Sequence, residues 1–294
     1  MKKKILLTGA TGFLGSHLLK NFILNKFEVV ILKRSTSNLW RINDLCKGYT
    51  AYDIDKISVF EVFEKEKPNI IVHTACSYGR SNESIIDILK TNLFFGLEIF
   101  EAAKKNKSQV FINVDSLLPR NLNSYSLSKA QFTDWLKINK QNIDVVNLKI
   151  EHMFGPMDDN TKFLGWLTNK MLTKTKASID LTTGVQKRDF IFIDDIVEVF
   201  NLVINNKNNL NVFTEYEVGT GNFIPVKEFI IKIARQLEDT KKIEILSRLN
   251  FGAIPYREGE IMEPLLDNTK LKRLGWVPKY SIEQGIKETL KNYL

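Results

Sequence analysis

Apolar positions along the chain follow two alternating patterns. Short solid runs read as buried strands: KILLTG (4–9), FEVVILKR (27–34), a shorter YTAYDI (49–54), NIIVHTA (69–75), SQVFINVDS (108–116) and IDVVNLKIEHMFGP (143–156). Between them lie stretches with apolar residues at helical spacing: FLGSHLLKNFIL (13–24), ISVFEVFEKEKP (57–68, stopped by Pro68), SIIDILKTNLFFGLEIFEAAKK (84–105) and SYSLSKAQFTDWLKIN (124–139). Strands alternating with helices predict an α/β fold built on a doubly wound parallel sheet of Rossmann type. Beyond Gly155 and Pro156 the rhythm breaks into turn-rich segments, the block KRDFIFIDDIVEVF (187–200) and a final helix. The expected division is a first domain of 1–155 with about 188–220, and a smaller α/β domain of about 156–187 with 221–294. No Gly-, Ser- or Pro-rich linker separates them, so close packing around a cleft is expected.

Composition changes this picture little. The chain has 294 residues and a net charge of +8, with lysines scattered rather than gathered into a basic helix or an aromatic-basic stripe. That distribution argues against nucleic acid and suits a lysine-rich surface with charge left for an anionic small molecule. No apolar run is long enough to span a bilayer. The opening MKKKILLTG is too short in its apolar part for a signal peptide and runs straight into glycines. Cys46 and Cys76 have neither metal-ligand nor disulfide spacing, so no metal and no disulfide are expected in a cytoplasmic protein.

Two stretches carry candidate chemistry. The first strand ends in TGATGFLG, with Gly9, Gly12 and Gly15 at G-x-x-G-x-x-G spacing before an amphipathic helix. Such a turn brings backbone close to a pyrophosphate and points helix N–H groups at it. The second stretch, SLLPRNLNSYSLSK, holds Ser116, Tyr125 and Lys129. By itself it favours a solvated turn entering a helix over a proton-transfer site, since Ser and Asn belong in turns. Tyr125 and Lys129 lie one helical turn apart and share a face.

TGATGFLG together with YSLSK resembles the extended short-chain dehydrogenase/reductases of the epimerase/dehydratase family. IIVHTA, Asn92 in the long helix, KRDFIFIDD, YEVGTG and LGWVP follow in the same order over nearly the whole chain. The resemblance makes the first domain a dinucleotide-binding Rossmann domain and the second a nucleotide-sugar-binding domain. It implies a cofactor site of Gly9, Thr11, Gly12, Phe13, Leu14, Gly15, Thr74, Ala75, Cys76, Asn92, Tyr125 and Lys129, with Asp53 and Ile54 flanking the adenine. It also makes Ser116, Tyr125 and Lys129 the catalytic group. Ser116 orients the substrate and Tyr125 exchanges a proton. Lys129 and the oxidised nicotinamide lower the cost of ionising a phenol whose free pKa is about 10. With the glycine turn present, the proton-transfer reading of the second stretch prevails.

The end of the second strand bears on the cofactor. Where similar NAD-using epimerases place an aspartate this chain has Lys33, followed by Arg34 and Ser35. An acid there binds a ribose hydroxyl, whereas cations accommodate a 2′-phosphate, so NADP(H) is expected, held by Lys33, Arg34 and Ser35. At the substrate end the resemblance makes Arg188 and Arg257 ligands of a diphosphate, although each alone also fits a surface ion pair. His152 stands where relatives often carry a substrate-binding asparagine, although a lone histidine also fits a structural role. His17 and His73 read as packing positions.

The reaction follows by comparison within the family. Sugar dehydratases place an acidic pair after the Ser/Thr; here Leu117 and Leu118 follow Ser116, and leucine moves no proton. The connection from Ser116 to Tyr125 is also shorter than in many members. The pattern resembles the CDP-abequose and CDP-paratose synthase branch of nucleotide-sugar 4-ketoreductases, implying NADPH-dependent pro-S hydride delivery to the C4 ketone of a CDP-linked deoxysugar, in deoxysugar biosynthesis for an O-antigen or capsule. A nucleotide-sugar 4-epimerase and an inactive NADP-binding sensor are the alternatives. The resemblance further implies a homodimer through a four-helix bundle made by the helices at 84–105 and 124–139, whose Phe94, Phe95, Phe132 and Trp135 exceed one buried face.

Overall fold

The computed structural model describes residues 3–45, 47–80, 82–160, 162–173, 175, 177–206 and 212–293. The chain divides into two compact units, Met1–Ile150 with Phe200–Glu217 and Glu151–Val199 with Val218–Leu294.

The first unit begins β1 (Lys4–Thr8), α1 (Phe13–Leu24), β2 (Glu28–Lys33), β3 (Tyr49–Asp53), α2 (Val59–Glu66) and β4 (Ile70–His73). It continues with α3 (Ile85–Leu89), α4 (Phe95–Lys105), β5 (Val110–Ser116), α5 (Ser124–Asn139) and β6 (Asp144–Ile150). The second unit supplies β7 (His152–Phe154), α6 (Phe163–Leu172), β8 (Ile179–Leu181), β9 (Lys187–Phe192) and the start of α7 (Ile193–Asn205). After β10 (Phe213–Val218) come β11 (Phe223–Pro225), α8 (Val226–Lys241), β12 (Leu249–Phe251), α9 (Thr269–Arg273) and α10 (Ile282–Leu290).

Seven strands form the main sheet in the order β10-β6-β5-β4-β1-β2-β3, parallel from β6 to β3. This is the Rossmann order 3-2-1-4-5-6 with a seventh strand added beside β6. Ile5–Leu7 in β1, Ile70–Val72 in β4 and Val110–Ile112 in β5 are buried, as solid apolar runs in a sheet covered on both faces must be. Burying each such side chain contributes about 1.5–3 kcal/mol. Truncating Phe111, packed against Phe100 and Phe132, costs about 3–5 kcal/mol.

Local chemistry sets the element ends. Ser58 and Glu61 form a reciprocal capping box at the start of α2, and Lys67 in the left-handed conformation closes it before Pro68. The expected helix at 84–105 is not uniform. A π turn, Lys90–Phe94, separates α3 from α4, and Asn92 within it is wholly buried. The run at 143–156 is two strands: β6 pairs with β5 through Ile150, Glu151 donates its N–H to the Val218 carbonyl (3.0 Å), and β7 pairs with β9.

The second unit holds a three-stranded sheet, β11-β9-β7, and a two-stranded one, β12-β8. Pairing of β9 with β7 and β11 puts residues 188–199 in this unit, whereas the sequence reading grouped them with the first domain. LGWVP is an anchor here. Trp276 Nε1 donates to the Asp195 carbonyl (3.0 Å), and the N–H groups of Lys279 and Tyr280 donate to the Asp195 carboxylate at 2.7 and 3.2 Å.

Cys46 lies outside the described residues; Cys76 is a free thiol. Among the described residues no helix is long and apolar enough to cross a membrane, and no group of three His, Cys, Asp or Glu side chains is placed to hold a metal.

Candidate active site

The glycine turn is shaped by close approach. Gly9 has φ +70°, and a Cβ there would meet Thr74 Oγ1 at 2.6 Å. A Cβ on Gly15 would meet the Gly9 carbonyl oxygen at 2.0 Å, so α1 starts directly against the turn. Gly12 is the N-cap of α1 and brings no side-chain cap, and the first turn holds no acid. The leading N–H groups of α1 thus suit an anionic ligand, as a dinucleotide pyrophosphate requires. Phe13 and Leu14 are buried and offer this site backbone only. Arg41, not flagged by the sequence, donates to the Thr11 carbonyl (3.4 Å) and lies over the Trp40 ring.

The end of β4 is tied to β1. Thr8 Oγ1 is bonded to His73 Nδ1 (2.9 Å) and accepts from the Ala75 N–H (3.3 Å), while Thr74 Oγ1 donates to the Thr8 carbonyl (2.8 Å). His73 is a packing residue as expected, set among Phe95, Phe111 and Phe132. Burial, aided by the Lys129 charge, lowers its pKa to about 3. Asn92 serves the protein. It accepts from the Ser77 N–H (2.6 Å) and donates to the Ser77 carbonyl (2.8 Å) and to Ser128 Oγ (2.9 Å), so both amide hydrogens are spent.

At the end of β2, Lys33 is ion-paired with Asp53, which also takes Lys56 at 3.4 Å. The Lys33 hydrogen bond holds the Asp53 carboxyl below the usual carboxylate range. Ser35 gives both its N–H and its hydroxyl to Asp55. Ile54 donates its N–H to the Lys33 carbonyl (2.9 Å) and packs on the core. Of the expected phosphate ligands, Arg34 and Ser35 are exposed, and Arg34 has no carboxylate partner among the described residues whereas Ser35 is bonded to Asp55.

The stretch from Ser116 to Lys129 is both a capped turn and a polar site. Asn123 and Ser126 form a capping box at the start of α5, at 2.9 and 3.1 Å. Ser116 Oγ accepts from the Leu118 N–H (3.1 Å), which leaves its own proton to donate. Asp115 is buried beneath, accepting from the Ser116 N–H (2.8 Å), Thr133 Oγ1 (2.8 Å) and Asn147 Nδ2 (3.1 Å), and so ties α5 to β5 and β6. Lys129 is 2% exposed and has no carboxylate partner among the described residues, a buried cation suited to a ligand's oxygens. Burial pushes the Tyr125 hydroxyl well above the ordinary value of 10.0; Cys76, Tyr78 and Asp115 add to the rise and Arg80 opposes it. Desolvation, and not the charge of Lys129, sets the direction of this shift in the protein itself.

The second unit carries the remaining candidates. The Arg188 guanidinium is ion-paired with Glu260 and donates to the carbonyls of Lys187 (2.5 Å) and Ile261 (2.6 Å). Asp189 is no partner for it. That carboxylate is buried and takes Thr220 Oγ1 and the Gly221 N–H, both at 2.6 Å. Arg257 is exposed, with no ion pair among the described residues. His152 Nδ1 is bonded to the buried Glu151 carboxylate at 2.8 Å, which fixes the ring, and its side chain is 42% exposed.

The profile described as "NAD dependent epimerase/dehydratase family" matches residues 5–219. The chain is 30% identical to a CDP-abequose synthase of Salmonella typhimurium, over 99% of this chain and 98% of that one. It is 35% identical to the CDP-abequose synthase of Salmonella muenchen, over 99% and 98%. Among solved structures, the UDP-glucuronic acid 4-epimerase of Bacillus cereus, in complex with UDP-glucuronic acid and NAD, superposes with a TM-score of 0.83 at 22% identity, covering 98% of each chain.

Proposed function

The chain belongs to the NAD dependent epimerase/dehydratase family, and from that premise we propose that it reduces the C4 ketone of a nucleotide-linked deoxysugar with NADPH. The CDP-abequose synthases among its relatives support CDP as the nucleotide and deoxysugar biosynthesis as the setting. The observation that carries the reading is the pairing on α5 of the buried cation Lys129 with the hydroxyl of Tyr125 one helical turn before it. Such a hydroxyl is a proton donor, as reduction of a ketone requires.

NADPH held at the glycine turn and Lys129 would supply the hydride for the new C4–H bond and would be oxidised to NADP⁺. Ser116 donates its hydroxyl proton in a hydrogen bond that orients the C4 oxygen. Tyr125 transfers its proton to that oxygen as the carbonyl electron pair moves onto it, and solvent later restores the proton. Lys129 holds the nicotinamide ribose and offsets the phenolate charge. Leu117 and Leu118 offer no acid or base, which argues against water elimination. Arg34, with Lys33 behind it, selects the 2′-phosphate. Arg188 and Arg257 bind the diphosphate, and His152 donates from Nε2 to the substrate.

The apolar surface of α3, α4 and α5 supports a homodimer through a four-helix bundle. Phe94, Trp135 and Ile138 are 62%, 50% and 69% exposed. Phe132 and Phe95 take no part: Phe132 is fully buried, seated against Gly96, and Phe95 packs on the same core. A cytoplasmic location suits dependence on the NADPH pool.

The test is mass spectrometry of ligands retained on purification, then an NADPH-oxidation screen over 4-keto nucleotide sugars. Tyr125→Phe removes only the transferable proton. It should cut turnover by roughly 10²-fold or more while NADPH still binds; full activity in that variant would assign the acid elsewhere.

A further inference from the structure

The loop after β4 lies on the catalytic tyrosine. The ring centroids of Tyr78 and Tyr125 are 4.9 Å apart at an interplanar angle of 31°, within the range of favourable aromatic contacts. The Arg80 guanidinium lies over the Tyr78 ring, 5.0 Å from its centre. Gly79 between them has φ +67°, a conformation that lets the chain turn sharply after Tyr78.

This loop is built in. The two hydrogen bonds from Asn92 clamp the Ser77 backbone, and the second amide hydrogen of Asn92 goes to Ser128 Oγ. Ser128 Oγ donates in turn to the Tyr125 carbonyl at 2.8 Å. Asn92 thus joins the backbone beside Tyr78 to the backbone of Tyr125 through one continuous chain of hydrogen bonds. This also accounts for the π turn, which buries Asn92. The segment from Ser116 to Tyr125 is short and carries an exposed Arg120–Asp134 ion pair (2.7 Å), and the aromatic contact on Tyr125 comes from the β4 loop.

We propose that Tyr78 is a positioning residue that caps Tyr125, excluding water from its ring and holding that ring in place, with Arg80 and Asn92 fixing the cap. This rests on the reading of Tyr125 as the acid of a ketone reduction. The ionisable groups acting on Tyr125 are Cys76, Tyr78 and Arg80 from the loop and Asp115 from β5, with Lys129 one turn further along its own helix. Removing the cap admits water, which stabilises phenolate. Tyr125 should then ionise at lower pH, and the alkaline fall in reduction rate should begin at lower pH.

The experiment uses Tyr78→Leu and Tyr78→Phe. Each is titrated by near-ultraviolet tyrosinate absorbance, paired with the same protein carrying Tyr125→Phe, so that the difference isolates Tyr125. Tyr78→Leu should lower the Tyr125 titration by about one pH unit or more and move the alkaline limb of kcat in the same direction. Tyr78→Phe keeps the ring and loses only the hydroxyl that adds to the rise, so it should shift both by much less, and a shift as large as that of Tyr78→Leu overturns the cap. An unchanged titration in Tyr78→Leu overturns the proposal. The titration needs no turnover. A shifted titration in a protein that consumes no NADPH supports the cap and rejects the reductase reading; an unshifted one in an active reductase does the reverse.

Discussion

Lys33 and Asp53, the last residues of β2 and β3, are register partners in the parallel sheet and are joined by an ion pair. Lys33 is therefore neutralised locally, and the exposed Arg34 beside it carries the charge open to a 2′-phosphate. Arg34→Ala should weaken NADPH binding about tenfold or more, the loss of one charge-assisted contact, and leave NADH binding unchanged. Lys33→Ala should do less. Fluorescence titration of both cofactors checks this; equal losses for NADPH and NADH in Arg34→Ala would contradict it.

Arg188 and Glu260 lead to a pair of opposed effects. On the proposed role of Arg188 as a diphosphate ligand, a carboxylate already occupies its guanidinium, so a nucleoside diphosphate would bind there only in competition with Glu260. Glu260→Gln should lower the inhibition constant of CDP several-fold. Arg188→Ala should raise it and raise KM more than it lowers kcat. If Glu260→Gln weakens CDP instead, Glu260 is a ligand-binding residue and no competitor.

His73 sets a pH dependence of stability. Its folded pKa of about 3 lies below the ordinary 6.5, because burial disfavours the imidazolium. Below the unfolded value the unfolded chain binds a proton that the native chain refuses. Stability is therefore full above about pH 6.5 and falls as pH drops toward 3, by on the order of 1 kcal/mol per unit. Urea unfolding of wild type and His73→Gln from pH 7 to pH 4 checks this. The slope should be smaller in the variant, and identical slopes would remove His73 as its source.

Assembly is open to a direct measurement. If Phe94, Trp135 and Ile138 form the faces of a four-helix bundle, sedimentation at micromolar concentration should give a dimer. Trp135→Glu with Ile138→Lys should give a folded monomer. A monomeric wild type would count against the bundle.

Where pattern is local, the sequence was readable. The helix at 124–139 has the bounds expected of it because Asn123 and Ser126 cap it from within the same stretch. Gly9 and Gly15 are required by contacts inside their own turn and with the adjacent β4 end. The π turn at Lys90–Phe94 was hidden because apolar spacing continues through it, and its cause, the clamp of Asn92 on Ser77 and Ser128, is tertiary. The break at Glu151 was hidden because apolar β residues continue on both sides of it. The ion pairs of Lys33 with Asp53 and of Arg188 with Glu260 join residues far apart in sequence, so a pattern that supplied the cations did not supply their partners. Tyr78 was missed for the same reason: its contact with Tyr125 depends on how the β4 loop meets the start of α5.

The central claim is net reduction, and stoichiometry tests it most directly. NADPH loss and sugar product should be measured together with a CDP-4-keto-3,6-dideoxyhexose. The account predicts one NADPH oxidised per ketone reduced, abolished in Tyr125→Phe. Interconversion of 4-hydroxyl epimers with catalytic cofactor and no net NADPH consumption would contradict it and make the protein an epimerase.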